Sequence, residues 1–325
     1  MKKYYAAARR RPIERLGPPP TAHHRAGSQN QSCAPRIDSI LRALRMYRDP
    51  SSHESVPSWL ALLERKWKAQ LPAGGTHILR QWMATAVNGI ETKGRPYVRK
   101  ANELFPALAV ARILDAGCGD GEVSIAFAQA GAAVVGVDAD RDFIDVAAMR
   151  AAEHGCGAIE FRCSDLCEGA GVPEGPFDLI LSIDVLEHVQ DELRYLSLLR
   201  DRVAESGVIW LFTPNRTSLS NVIADPHYKL AGLTLMPNWL AAWYATRFRR
   251  RVRMYEVTRL YTRSTLTRLA QRSGLRFSFG DEARWLAALD RHRWIGWAAN
   301  APWLRRPLFW LYRFRINTFE VTLRR

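Results

Sequence analysis

The sequence predicts an α/β chain: a doubly wound, mostly parallel sheet, preceded by a helical N-terminal extension and carrying a basic, Trp- and Arg-rich C-terminal lid. Three observations predict it. Five short apolar runs alternate with helical patterns between about residues 110 and 215, as strands of a parallel sheet covered on both faces do. The first run leads into a glycine turn, Asp115-Ala116-Gly117-Cys118-Gly119-Asp120-Gly121; strand, glycine turn and helix make the first unit of such a sheet. Charge is also partitioned. Residues 1–105 carry 19 Lys and Arg against 7 Asp and Glu, residues 106–234 carry 9 against 20, and residues 235–325 carry 19 against 5. An acidic middle between basic ends gives the net +15, so the sheet and its flanks need separate explanations.

The 325 residues, 47% hydrophobic and 24% charged, suit one large globular domain with additions. Five cysteines without a C-x-x-C pair indicate neither a disulfide framework nor a zinc site, and fit a reducing cytosol. No apolar run approaches the roughly 18 residues that span a bilayer. The start, MKKYYAAARRRP, lacks the apolar region of a secretory signal.

Along the chain, residues 1–35 are Pro-, Arg- and Ser-rich and read as a disordered basic tail. Residues 36–105 read as a helical cover: Ile37–Tyr47, Ser58–Leu71 and Thr76–Val87 repeat apolar residues at three- and four-residue steps. Gly74-Gly75 and Gly94-Arg95-Pro96 are expected to break it into separate helices. From 106 to 325 one domain is expected, with lid insertions at about 216–256 and 283–315. Its first strand is Val110–Leu114, and a helix starts at Val123. Strands follow within Ala132–Asp140, Ala158–Leu166, Phe177–Ile183 and Ser206–Asn215, with helices from about Arg141 and over Glu192–Val203. Tyr261–Gly274 reads as a helix closed by its glycine, and Leu275–Asp281 and Ile316–Arg325 as two final strands.

Asp138 ends the second strand, 21 residues after Gly117, where an acidic side chain meets ribose hydroxyls in nucleotide-binding α/β folds. The G-x-G-x-G spacing departs from the G-x-G-x-x-G that holds a pyrophosphate. Asp115 and Asp120 crowd the turn with negative charge, which repels a pyrophosphate but suits an amino-acid moiety and a sulfonium cation.

In order, D-A-G-C-G-D-G, G-V-D, C-S-D-L and F-D-L-I-L-S-I-D-V-L-E-H-V resemble the motifs of the class I S-adenosylmethionine-dependent methyltransferases, over residues 110 to about 280. The resemblance implies their seven-stranded Rossmann-like sheet and methyl transfer from that cofactor. By position it implies that Gly117 and Gly119, with Asp115 and Cys118, line the cofactor's methionine and ribose portion. Asp138 would hold the ribose diol, Asp165 would face the adenine amino group beside Leu166, and Ile183 would pack near the cofactor. Within that superfamily the chain is similar to the O-methyltransferases of ubiquinone biosynthesis, on Asp184-Val185-Leu186-Glu187-His188-Val189 and on Asn215-Arg216-Thr217 followed by an amphipathic insertion. In those enzymes an arginine shortly before the glycine loop binds the cofactor, which points to Arg99.

Glu187 and His188 admit three readings. His188 is a general base for a hydroxyl proton; or Asp184, Glu187 and His188 hold a divalent metal, as the resemblance implies; or the run is a structural helix start under the site. Asp184 stands where metal-binding relatives have Glu, which shortens the reach, so a metal is not favoured. His227, in A-D-P-H-Y, is either a second catalytic group or a lone surface histidine. The expected reaction is O-methylation of a small, partly apolar or lipid-like acceptor. RNA 2′-O-methylation and a non-catalytic cofactor-binding regulator are the alternatives.

Seven of the eleven tryptophans lie beyond residue 235, interleaved with arginine. Indoles settle at lipid headgroups and cations meet anionic lipid, so a cytoplasmic protein peripheral to the inner membrane face is expected. Nucleic acid is the lesser expectation, and an ordinary aromatic core is the bland one.

Overall fold

The computed structural model describes residues 57–72, 75–105, 107–280 and 312–325. The tail over 1–35, the helix expected at 37–47 and most of the lid expected over 283–315 lie outside them.

Seven strands form one sheet in the order β3-β2-β1-β4-β5-β7-β6. They are β1 Arg112–Ala116, β2 Ala133–Asp138, β3 Glu160–Cys163, β4 Phe177–Ile183, β5 Val203–Pro214, β6 Arg276–Phe279 and β7 Thr318–Arg324. β1 to β5 run parallel, and β7 lies antiparallel between β5 and β6. Four of the five β1 residues and six of the seven in β4 are buried. Strands covered on both faces have no solvated side to alternate with, which is why they read as unbroken apolar runs. β1 and β4 are neighbours although β2 and β3 separate them in sequence; the strand order reverses there, the place where doubly wound sheets bind ligands.

The helices are α1 Ser58–Gln70, α2 Thr76–Val87, α3 Arg95–Leu104, α4 Glu122–Gln129, α5 Arg141–Glu153, α6 Glu192–Arg202, α7 Leu219–Ile223, α8 Asn238–Trp243 and α9 Arg263–Arg272. One apolar cluster joins the sheet to α6 and α9 through Leu196, Leu199, Leu266 and Leu269. Another joins it to α3 and α4 through Ala101, Val123 and Phe127. A third joins α1 and α2 to the segment after β5: Trp59, Leu63 and Met83 pack with Leu233, Ala241 and Val257. The N-terminal cover and the insertion after β5 thus share a core.

Two local expectations need correction. The first strand starts at Arg112, not Val110, because Leu108–Val110 forms a 3-10 turn that leaves Val110 82% exposed. Gly94-Arg95-Pro96 does not break the chain: the π-helical turn Ile90–Gly94 runs directly into α3. Pro96 sits in the first turn of α3, where no N–H is needed. Gly94 packs against α4, where a Cβ would come 2.6 Å from that of Ala126.

Candidate active site

The glycine turn between β1 and α4 is bent by positive φ angles of +86° at Gly117 and +52° at Gly119, which L side chains adopt at a cost. A Cβ on Gly117 would lie 2.3 Å from Cγ2 of Val185, whereas one on Gly119 would meet no atom within 4 Å. The first glycine therefore serves a close backbone approach, and the second faces open space. Asp138 straps the turn to β2: Oδ2 accepts from the Gly119 N–H at 3.0 Å and Oδ1 from the Asp140 N–H at 2.9 Å. Burial raises the Asp138 pKa, and those two N–H groups oppose the rise. Asp115 is 2% exposed and accepts from the Ser124 hydroxyl at 2.6 Å; burial pushes its pKa up to about 6. Burial and the nearby carboxylates hold the Cys118 thiol well above its ordinary pKa, so it lines the turn as a neutral side chain rather than a nucleophile.

At the end of β3, Asp165 folds back on its own loop, its Oδ1 accepting from the Cys167 N–H at 2.7 Å. Leu166 and Ile183 are buried at the ends of β3 and β4. The strands thus bring Asp115, Gly117, Cys118, Gly119, Asp138, Asp165, Leu166 and Ile183 to one end of the sheet. Arg99 lies exposed on α3. Lys93 is a basic group near the turn, with Nζ 3.3 Å from Glu122 at the start of α4 and 3.5 Å from Asp184. Burial works to lower its pKa, but those two carboxylates carry it above the ordinary lysine value. Sequence reasoning missed Lys93 because its segment resembles a helix break.

Beyond β4 the chain forms a 3-10 turn over Leu186–His188. Ligand atoms of Glu187, His188 and His227 all lie within 4.8 Å of one another. Asp184 is not among them; its carboxylate lies 3.5 Å from Nζ of Lys93. Glu187 is fully buried, with Oε2 accepting from the Thr213 hydroxyl at 3.0 Å. Its Oε1 lies 3.6 Å from Nε2 of His227, whose Nδ1 lies 3.8 Å from Asp225. His227 is therefore no lone surface histidine. Asp225, unremarked in the sequence, caps the turn that carries it by accepting from the N–H groups of His227, Tyr228 and Leu230; Asp before Pro is the signal that was available.

The imidazoles of His188 and His227 meet edge to face at 5.2 Å. Nδ1 of His188 is 3.2 Å from the Glu256 carbonyl. A carbonyl can only accept, so Nδ1 carries a proton, and in the neutral ring the lone pair is on Nε2. Burial alone would lower the His227 pKa, but the Glu187 carboxylate, with Asp225 behind it, raises it. Burial alone would raise that of Glu187, but the two histidines lower it. Glu187 Oε1 and His227 Nδ1 are both buried without a hydrogen-bond partner.

A family model described as a methyltransferase domain matches residues 90–277. The ubiquinone biosynthesis O-methyltransferase of Parvibaculum lavamentivorans is 35% identical over 203 residues, which cover 62% of this chain and 75% of that protein. The protein of the same name from Cereibacter sphaeroides is 35% identical over 129 residues, 40% of this chain and 49% of its own length. An S-adenosylmethionine dependent methyltransferase from Mesorhizobium loti superposes with a TM-score of 0.47 at 21% identity, over 73% of this chain and 100% of the other.

Proposed function

The chain belongs to the class I S-adenosylmethionine-dependent methyltransferases, and from that premise we propose that it moves the cofactor's methyl group onto a hydroxyl of a small, partly apolar acceptor. The observation that carries the proposal is the cluster of Glu187, His188 and His227, set just beyond Val185, which packs on the glycine turn. Gly117, Gly119 and Asp138 would hold S-adenosylmethionine, the glycines by close backbone approach and Asp138 by accepting from the ribose hydroxyls. Bound there, the cofactor would supply an electrophilic methyl carbon whose sulfur takes the bonding electron pair as the acceptor oxygen takes the methyl group. The hydroxyl proton goes to Nε2 of His188, whose orientation the Glu256 carbonyl fixes. Because the cofactor supplies a reactive carbon, the protein's share is positioning, proton removal and exclusion of water.

One carboxylate, two imidazoles and the buried, unpartnered Oε1 of Glu187 also fit a divalent cation, held by Glu187, His188 and His227. Such an ion supplies Lewis acidity that lowers a hydroxyl's pKa.

The insertion that carries His227 into the cluster also exposes apolar side chains: Ile223 63%, Leu235 54%, Trp239 73%, Trp243 50% and Phe248 63%. Arg247, Arg249 and Arg250 lie exposed in the same stretch. That combination supports contact with an anionic membrane face, from which a lipid-dissolved acceptor passes to His227. The test is incubation with methyl-labelled S-adenosylmethionine and a solvent extract of membranes, scored against Glu187→Gln. Label should enter lipid-soluble material with the native protein and not with the variant. Label in no fraction would overturn the enzymatic reading, and label in RNA alone would overturn the acceptor class.

A further inference from the structure

Two cations outside the catalytic cluster reach the loops that carry the glycine turn and Asp138: Arg150, packed against the N-terminal cover, and Lys66, carried by it. Arg150 on α5 has 0% exposure. Its Nη1 donates to the Asp120 carboxylate, between Gly119 and Gly121, at 2.8 Å, and its Nη2 donates to the Ala86 carbonyl of α2 at 2.6 Å. The guanidinium also lies 4.8 Å from the ring centroid of Trp59 on α1, and that indole donates to Glu153 at 2.7 Å. Lys66, farther along α1, has 8% side-chain exposure and pairs with Asp140. It lies 3.9 Å from Asp142 and 4.4 Å from the Phe143 ring centroid. Asp140 in turn gives its N–H to Asp138.

Three carboxylates, of Asp115, Asp120 and Asp138, surround a turn whose glycines leave the unliganded backbone many conformations. A ligand that must first order such a loop binds more weakly by the fraction of time the loop is competent. Arg150 removes both problems at once. It neutralises Asp120, and its planar fork ties that residue to a helix carbonyl, a span that the single ammonium of a lysine does not reproduce. Lys66 does the same for the loop after β2.

Resting on the cofactor reading above, we infer that Arg150 and Lys66 are positioning residues for S-adenosylmethionine, acting through Asp120 and Asp140, and that the helical cover sets the cofactor affinity by holding both loops in their binding shape. The residues belong to the affinity step and leave the chemical step alone.

The experiment compares the full-length native protein with Arg150→Lys and Lys66→Gln, by calorimetry with S-adenosylhomocysteine and by steady-state kinetics. Arg150→Lys should weaken binding and raise the KM for S-adenosylmethionine about tenfold, a coupling of ordinary size, and Lys66→Gln about threefold by the same relation. At saturating cofactor, kcat should stay within about twofold, since no group at the reacting atoms changes. A merely structural role would instead lower the binding stoichiometry and kcat together while leaving the dissociation constant alone, and that result would overturn the inference. Should Arg150→Lys fail to fold, Lys66→Gln decides: an unchanged constant there overturns it. No heat from the native protein would sink the cofactor reading and this inference with it. Heat from the native protein with equal constants in the variants would sink this one alone.

Discussion

Oε1 of Glu187 stands 3.6 Å from Nε2 of His227, while the Thr213 hydroxyl holds the other carboxylate oxygen at 3.0 Å. One residue follows β4 and the other arrives on the insertion after β5, so the pair exists only when that insertion is packed home. Glu187→Gln keeps the shape and the Thr213 bond but removes the charge that both histidines face. Methyl transfer should fall on the order of a hundredfold or more, the usual scale for losing acid–base assistance. Binding of S-adenosylhomocysteine should hardly change. A chelator then separates the two readings of the cluster: loss of activity that added divalent cation restores supports an ion held by Glu187, His188 and His227, and indifference leaves His188 as base. Native rates from Glu187→Gln would remove the cluster from the mechanism.

The two glycines of the turn should respond differently to the same added methyl group. At Gly119 the new Cβ meets open space, so Gly119→Ala costs about 1–2 kcal/mol for its positive φ and lowers the melting temperature by a few degrees. Cofactor affinity should drop far more, because the methyl stands where the cofactor would approach the backbone. At Gly117 the same strain is joined by a Cβ 2.3 Å from Val185, and overpacking adds roughly 1–3 kcal/mol. Equal melting temperatures for the two variants would show that Val185 yields freely, against the close approach described.

The central strands were legible because burial on both faces leaves its mark within them, as in Leu179–Ile183 of β4. The glycine turn and Asp138 were legible because their spacing is local. What escaped depends on packing between distant segments. The helical run through Gly94 requires α4 beside it, and nothing in Lys93-Gly94-Arg95-Pro96 announces that neighbour. His227 is separated from Glu187 by α6, β5 and α7, so their meeting is set by the return path of the insertion. Lys93 escaped for the same reason: nothing in its own segment says that its side chain meets Glu122 and Asp184.

Asp115 makes a pH prediction of definite sign. Burial lifts its pKa from 3.8 to about 6 in the folded protein. Between those values the folded state holds the proton that the unfolded chain has released, so stability falls as pH rises through this window. The full loss, reached above pH 6, is about 3 kcal/mol at 1.36 kcal/mol per unit. Asp115→Asn can still accept from Ser124 and carries no charge to desolvate. Its melting temperature should exceed that of the native protein above pH 6, with the gain vanishing near pH 4. A difference that does not depend on pH would mean that Asp115 titrates alike in both states.

The exposed face of the insertion makes the last prediction. Trp239 and Trp243 stand one helical turn apart on α8, and the Trp243 ring stacks on Phe248 at 5.7 Å. Leaving such rings in water forgoes roughly 1.5–3 kcal/mol per fully buried apolar side chain, and each nearby arginine adds about 1 kcal/mol of attraction to an anionic surface. The native protein should therefore sediment with vesicles of mixed zwitterionic and anionic phospholipid, less at high salt, and hardly at all with purely zwitterionic ones. Trp239→Ser with Trp243→Ser should weaken sedimentation at least tenfold, since two indoles together forgo more than the 1.4 kcal/mol that a factor of ten requires. Activity toward a water-soluble phenolic acceptor should survive in that variant, because neither indole belongs to the cluster of Glu187, His188 and His227. If the double variant sediments as the native protein does, lipid contact lies elsewhere on the chain. If it also loses activity toward the soluble acceptor, the indoles hold the insertion in place rather than meeting the membrane.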